Sequence, residues 1–298
     1  MGDNHILAIS RGTQHSSTHQ SNDAAMFGMV CDGLRERGYQ VEVISEDDLA
    51  THLESTTPRQ IISMAQRPEN TALLARLESE GTTIINSFES TLNTYRLFLA
   101  LRLADEDRFA RTRVLSSLVE EDVEEFEEEA FELIREALGE KFWLKRGDIH
   151  AAHPDDVLLV RNQDEFKDGL EGLRSRSVNS AIVQKHCEGD VVKFYGIADR
   201  RFFHAQYFDS GVPIEFSTED LAGESERIAQ VLGLTIYGGD AVLDPEGNFT
   251  FIDFNSWPSF GDVRDRAVPL MIETIVDQFR EHQGKPNATE PIGGTEQG

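Results

Sequence analysis

Residues 237–260, YGGDAVLDPEGNFTFIDFNSWPSF, constrain the fold of this chain more than any other stretch. They read as two β-strands around the turn Asp244-Pro-Glu-Gly-Asn248, whose residues suit a tight reversal. Asp240 starts the first strand, and residues 249–254 form the second. Asp253 and Asn255 are two apart and so share one face. Asp240, on the partner strand, reaches the same end of the hairpin. Two carboxylates and a carboxamide on one point suit a hard cation such as Mg²⁺, which takes oxygen ligands and is shared with substrate phosphates. The plain alternative is a surface hairpin with solvating Asp and Asn. Against it, Asp253 and Asn255 interrupt the apolar run of Phe249, Phe251, Ile252, Phe254 and Trp257. A carboxylate buried there is costly without a counter-charge.

Charge limits the partners. The chain has 298 residues, 28 basic and 54 acidic, for a net charge of −26. Such an excess argues against nucleic acid and anionic membranes. No apolar run approaches the roughly 20 residues that span a bilayer. The first residues lack the basic and apolar regions of a signal peptide, so a cytoplasmic protein is expected. Cys31 and Cys187 are expected as free thiols. The sequence leaves a homodimer open. Lysine is scarce, six against 22 arginines, so Lys145 and Lys193 stand out.

Along the chain, a strand over 5–10, a polar loop over 11–23, a helix over 24–38 and a strand over 40–45 give a parallel β-loop-α-β order. Strands at 61–64 and 83–86 and a helix at 70–80 complete an α/β unit over 1–88. A helix follows over 87–103, with Ser87 as N-cap. Next come a strand at 113–115 and a Glu-rich helix over 120–138. Its apolar stripe is Phe126, Phe131, Ile134 and Leu138, with the acids on the wet face. Strands at 142–145, 157–160 and 181–184 flank a helix over 164–174. An antiparallel pair spans 191–197 and 202–207. Helices are expected within 217–232 and over 267–282, and a disordered tail over 283–298. The fold class is α/β and α+β.

With these elements in order, the chain resembles the ATP-grasp superfamily, of the carboxylate–amine ligase kind typified by glutathione synthetase and ribosomal-protein glutamate ligase. The match rests on the hairpin: an acid, then about a dozen residues on, D/E-x-N ending the next strand, with Pro258 completing N-x-x-P. The resemblance implies an N-terminal Rossmann-like domain at 1–88. Two α+β subdomains, 89–184 and 185–282, would enclose the nucleotide. It implies Mg²⁺ on Asp240, Asp253 and Asn255, and ATP phosphates on Arg96, Lys145 and Lys193. The segment Gln184, Lys185, His186, Cys187, Glu188 and Asp190 would hold the nucleoside. There the backbone of 185–187 would meet adenine, and Glu188 or Asp190 the ribose. Two positions depart from the pattern. The loop after Lys145, Arg146-Gly-Asp-Ile-His-Ala-Ala-His153, is not the usual Gly/Ser-rich lid, leaving Arg146, His150 and His153 to contribute there or the loop to face the second substrate. Gly238 stands where the D-alanine ligase pattern has an arginine.

The family chemistry implied is ATP-dependent activation of a carboxylate as an acyl phosphate, then attack by an amine or other nucleophile, with ADP released. The partners would be small-molecule carboxylate and amine substrates. Arg264 and Arg266 would hold the transferring phosphate or the acceptor's carboxylate, as forked donors do. The substrate is expected at the polar loop after the first strand, on Arg11, His15, Ser16, His19 and Asn22, since ligands sit at the C-terminal ends of parallel strands. A small-molecule kinase on the same fold, like the inositol-phosphate kinases, and a non-catalytic nucleotide-binding module are the rival readings.

Overall fold

The computed structural model describes residues 4–12, 17–115, 123–149, 153–208 and 214–283, the side chains of 17–21, 123–127 and 283 excepted. The first unit contains β1 (His5–Ser10), α1 (Ser17–Glu36), β2 (Gln40–Ser45), α2 (Leu49–Leu53), β3 (Gln60–Ser63), α3 (Pro68–Ser79) and β4 (Thr83–Ile85). Its four strands form a parallel sheet in the order β2-β1-β3-β4. A parallel sheet is covered on both faces, and β1 alternates accordingly. Ile6 and Ala8 join the core built with α1, and Leu7 and Ile9 the core built with α3.

Two short helices follow, α4 (Phe88–Asn93) and α5 (Arg96–Arg102). Then come β5 (Thr112–Leu115), α6 (Val123–Leu138), β6 (Phe142–Arg146), β7 (Val157–Val160), α7 (Gln163–Ser175) and β8 (Ala181–Lys185). These strands form an antiparallel sheet, β5-β8-β6-β7. Its rear face packs Phe142, Leu144, Ala181 and Val183 against Phe131, Ile134, Phe166 and Leu170 of α6 and α7. Its front face therefore carries Trp143, Lys145, Ile182 and Gln184.

The third sheet is β10-β9-β11-β12, from β9 (Asp190–Ile197), β10 (Phe202–Tyr207), β11 (Ile236–Leu243) and β12 (Phe249–Ser256). The helix α8 (Thr218–Leu232) lies against one face, where Leu221, Ile228 and Leu232 meet Phe194, Phe251 and Phe254. The last helix, α9 (Arg264–Gln283), returns to the first unit. Its Met271, Ile275 and Phe279 share a core with Met26, Phe27 and Val30 of α1.

Three readings from sequence change. The helix expected over 24–38 begins at Ser17, so most of the expected loop 11–23 is helical. The residues from Ser17 to Asp23 have no apolar side chain, so periodicity gives no sign of those turns. The single helix expected over 87–103 is two. Ser87 caps the first, accepting from the Ser90 N–H, but Tyr95 is extended and heads the second. The buried Tyr95 hydroxyl, which donates to the Gln66 carbonyl and meets Thr71 Oγ1 at 3.1 Å, fixes that break from outside the helix. Finally, β11 begins at Ile236, so Asp240 lies mid-strand and not at its start. Cys31 and Cys187 are free thiols, as expected. No described helix is long and apolar enough to cross a membrane. Residues 284–298, most of the expected tail, lie outside the described residues.

One side chain locks the first unit to the hairpin. Asn86 Oδ1 accepts from the N–H groups of Thr235 (2.8 Å) and Ile236 (3.0 Å). Its Nδ2 donates to the Ile236 carbonyl (2.7 Å) and Ser256 Oγ (2.9 Å). Beside it, Trp257 Nε1 donates to the Ile85 carbonyl at 3.1 Å. Asn86→Ala is expected to cost about 2–4 kcal/mol by leaving several buried groups unpaired. Urea unfolding at unchanged m-value checks this; a loss near zero would contradict the locking role.

Candidate active site

The hairpin is built around a β-bulge. The β11–β12 register runs Tyr237↔Ser256, Gly238↔Asn255 and Asp240↔Asp253, then shifts so that Ala241 faces Phe251. Ile252 is the extra residue. Strict alternation would put Phe251 and Asp253 on one face; the bulge separates them. Phe249, Phe251 and Phe254 all reach the core, while Asp253 and Asn255 turn the other way. The freed Ile252 carbonyl accepts from Gln184 Nε2 at 3.3 Å, tying the front of the second sheet to the third.

Two rows of side chains then cross the open face of the third sheet. One runs Gln206, Lys193, Asp240, Asp253 over β10, β9, β11 and β12. The next runs His204, Tyr195, Gly238, Asn255. Lys193 Nζ pairs with Asp240 Oδ1 at 3.1 Å, so the lysine seen in sequence sits across strands from a metal candidate. Asp240 and Asp253 are direct cross-strand neighbours, and like charges so placed are destabilising. Burial pushes the Asp240 carboxyl above its usual range; Lys193 opposes that shift and Asp253 adds to it. Gly239 permits the close pairing, since a Cβ there would lie 2.2 Å from the Asp253 carbonyl oxygen.

Facing these rows are two buried cations. Arg96 opens α5 and is 8% exposed, and among the described residues its Nε and Nη1 have no hydrogen-bond partner. Lys145 is 7% exposed and donates from Nζ to Gln184 Oε1 at 2.6 Å. Burial, reinforced by Arg96, pushes the Lys145 ammonium down to about 8, against the pull of Asp253 and Asp240. Between the groups lies a cleft of about 550 Å³. Arg11, Asn22, Arg96, Lys193, Asp240, Asp253 and Asn255 line it, as do Asp23, Gln66, Tyr195, Gln206, Ser259 and Asp262.

The oxygen-only set of Asp240, Asp253 and Asn255 fits Mg²⁺. The like-charged pair is the independent sign, because a divalent ion would offset its repulsion. Among the described residues, no trio drawn from His, Cys, Asp and Glu gathers as a metal site, and here the third donor is a carboxamide.

Other sequence candidates fare differently. Arg11 lines the cleft, but its guanidinium is committed. It pairs with Asp23 at 2.7 Å and donates to the Trp257 carbonyl at 3.0 Å. It is a clamp between β1 and the end of β12. His15 and Ser16 lie outside the described residues, and His19 is in α1 without a described side chain. Asn22 reaches the cleft and accepts from Arg264 Nη2 at 3.4 Å. Arg264 keeps a buried Nε that has no hydrogen-bond partner among the described residues. Arg266 does not come to the cleft: it is exposed, 5.7 Å above the Phe202 ring.

The segment after β8 is only partly available. The Lys185 N–H is spent on the Arg111 carbonyl at 2.8 Å, so it cannot serve a base. Its side chain points rearward with Arg111, Arg113 and Cys187, into a larger cavity of about 870 Å³. Burial pushes the Cys187 thiol up. Glu188 is exposed and bound by Lys141, whose hydrogen bond holds its carboxyl low; His186 Nε2 is 3.4 Å away. Asp190 is half-buried at the head of β9. In the loop after β6, Arg146 is held by Asp148 (2.5 Å) and the buried Asp156 (3.7 Å). His153 caps a 3-10 turn through Nδ1, and His150 lies outside the described residues.

Sequence reasoning missed Glu46, Tyr195, Gln206 and Asp262. The buried Glu46 carboxylate accepts from the N–H groups of Gly12 (2.8 Å), Gln66 (3.0 Å) and Arg67 (3.2 Å), fixing the loops after β1 and β3. No local pattern marks it. Tyr195 was legible in principle, two residues beyond Lys193 on the same strand face.

No family model matches the chain, and no curated protein matches its sequence. Solved structures do match. A RimK-domain ATP-grasp protein from Sphaerobacter thermophilus is 19% identical, with a TM-score of 0.66 over 91% of this chain and 98% of that one. D-alanyl-alanine synthetase A from Vibrio cholerae is 10% identical, with a TM-score of 0.70 over 94% and 99%. The ATP-grasp ligase PsnB, complexed with minimal precursor, Mg and ADP, is 17% identical, with a TM-score of 0.61 over 94% and 98%. The chain has the ATP-grasp fold.

The Lys145 environment sets a pH dependence. An unfolded lysine titrates near 10.5 and the folded one near 8. Between these values the unfolded chain holds the proton and the folded chain does not, so stability rises with pH across that window. Lys145→Met is expected to flatten that rise. Denaturation of both proteins from pH 7.5 to 10.5 checks it; parallel profiles would contradict the buried-cation assignment.

Proposed function

We propose that this ATP-grasp chain is an ATP- and Mg²⁺-dependent ligase that joins a carboxylate to an amine or another nucleophile. The observation that carries the reading is the row Lys193, Asp240, Asp253 sharing one cleft with the buried Arg96, with the buried Lys145 within electrostatic reach of both carboxylates. Each side is poorly compensated alone, and a metal-bound triphosphate complements both. Mg²⁺ on Asp240, Asp253 and Asn255 would supply positive charge to phosphate oxygens.

Arg96 and Lys145 would hold the triphosphate from the opposite wall, where burial strengthens their pull. Lys193, beside Asp240, would reach the terminal phosphate. Asp190 is the better ribose partner, because Lys141 holds Glu188. Trp143, half-buried on the front face beside Lys145, offers the base a wall. The units at 1–88, 89–184 and 185–282 are taken as the working domains, with α9 returning to the first.

In the reaction, a carboxylate oxygen attacks the γ-phosphorus. The new O–P bond forms as the bridge to the β-phosphate breaks, and ADP leaves with the electron pair. An amine then displaces phosphate from the acyl phosphate. The protein's part is placement and charge neutralisation. Arg264, whose Nη2 donates to Asn22 and whose Nε has no partner among the described residues, is the candidate for an acceptor carboxylate.

The test is ADP release over a panel of carboxylates and amines. Release is expected only when a carboxylate is present. Asp253→Asn is expected to lower it about 100-fold or more, with circular dichroism and melting temperature retained. Release with a hydroxyl acceptor alone would replace the ligase with a kinase. Nucleotide binding without turnover across the panel would replace it with a binding module.

A further inference from the structure

Two polar groups in the cleft have no use in the scheme above. Tyr195 is 8% exposed, lines the cleft, and among the described residues its hydroxyl has no hydrogen-bond partner. Its ring is fixed by stacking on Phe260, with centroids 5.2 Å apart at 27°. Gln206, half-buried on β10, also lines the cleft, and its carboxamide likewise has no partner among the described residues. Both polar groups open on the cleft, where a ligand can meet them.

Both groups face one spot. Gly261 has φ +42°, and a Cβ built there would lie 3.5 Å from Tyr195 Oη and 3.8 Å from Gln206 Nε2. That position holds no side chain, and Gly261, Tyr195 and Gln206 all line the cleft. Gln206 is the cross-strand neighbour of Lys193, which pairs with Asp240. Tyr195 faces Gly238, beside Asn255. The donors thus line the same cleft as the metal candidates, Gln206 on the far side of Lys193 from Asp240 and Tyr195 across Gly238 from Asn255. Burial, then the charges of Asp240 and Asp262, push the Tyr195 hydroxyl up, which keeps it protonated and able to donate.

We infer that Tyr195 Oη and Gln206 Nε2 are substrate-contacting donors that hold oxygens of the transferring phosphoryl group. This rests on the nucleotide reading of the cleft. Negative charge spreads over the phosphoryl oxygens as the β–γ bridge breaks and the acceptor oxygen bonds to phosphorus. Preplaced donors favour that state. Neutral donors do so without another cation next to Arg96, Lys145 and Lys193.

The probe is ADP with Mg²⁺, alone and with aluminium fluoride, which mimics the phosphoryl group in flight. Calorimetry and thermal shift are run on the wild type, Tyr195→Phe and Gln206→Ala. Tyr195→Phe keeps the ring stack, so its melting temperature without ligand should match the wild type. Wild-type protein should bind ADP with Mg²⁺ and tighten on adding aluminium fluoride. In Tyr195→Phe the fluoride-dependent gain should shrink about 10- to 100-fold, the worth of one hydrogen bond to a charged group. ADP affinity without fluoride should stay within about twofold. Gln206→Ala should move the same gain in the same direction. Equal gains in all three proteins, or no gain in a wild type that binds ADP with Mg²⁺, would overturn the donor role alone. A wild type that binds no ADP with Mg²⁺ would overturn the nucleotide reading and the donor role together.

Discussion

Two carboxylates lie face to face on neighbouring strands, and the rest of the site answers that repulsion. Asp240 and Asp253 are partners in an antiparallel ladder, where opposite charges stabilise and like charges do not. Lys193 offsets one of them from the next strand at 3.1 Å. The remaining excess shares a cleft with the buried Arg96 and lies within reach of Lys145, an ammonium that burial pushes down to about 8. A well-compensated protein core would have joined these charges into pairs. Holding them apart leaves room for a ligand that carries both signs, such as a metal-bound polyphosphate.

The surrounding structure keeps the charges apart. Asn86 and Trp257 bind the hairpin to the first unit, while Arg11 clamps the end of β12 from the loop after β1. Glu46 fixes the loops that carry Arg11 and Gln66. The Gln184 carboxamide touches both sheets, accepting from Lys145 and donating to the Ile252 carbonyl. Movement of the second sheet would therefore be felt at the bulge beside Asp253. The positions of the charged groups depend on backbone anchors and not on the charges themselves.

Much of this was legible in the sequence. The hairpin stands out because Asp253 and Asn255 break an apolar run, and its pattern resembles that of the ATP-grasp family. Arg96, Lys145 and Lys193 followed in order, and all three border the cleft or face its charges. Other features were hidden for physical reasons. The bulge at Ile252 is a register event, set by pairing and absent from composition. The break at Tyr95 is imposed by Gln66 and Thr71, far along the chain. Arg11 read as a ligand because its contacts, Asp23 and the Trp257 carbonyl, are tertiary. Lys185 read as a base contact because the Arg111 carbonyl that takes its N–H belongs to another strand's approach.

The most direct measurement is a crystal structure with a non-hydrolysable ATP analogue and Mn²⁺, read at the manganese absorption edge. The account expects anomalous density between Asp240, Asp253 and Asn255, with phosphates against Arg96 and Lys145. A seated nucleotide whose metal lies elsewhere, leaving the two carboxylates to face each other bare, would contradict it.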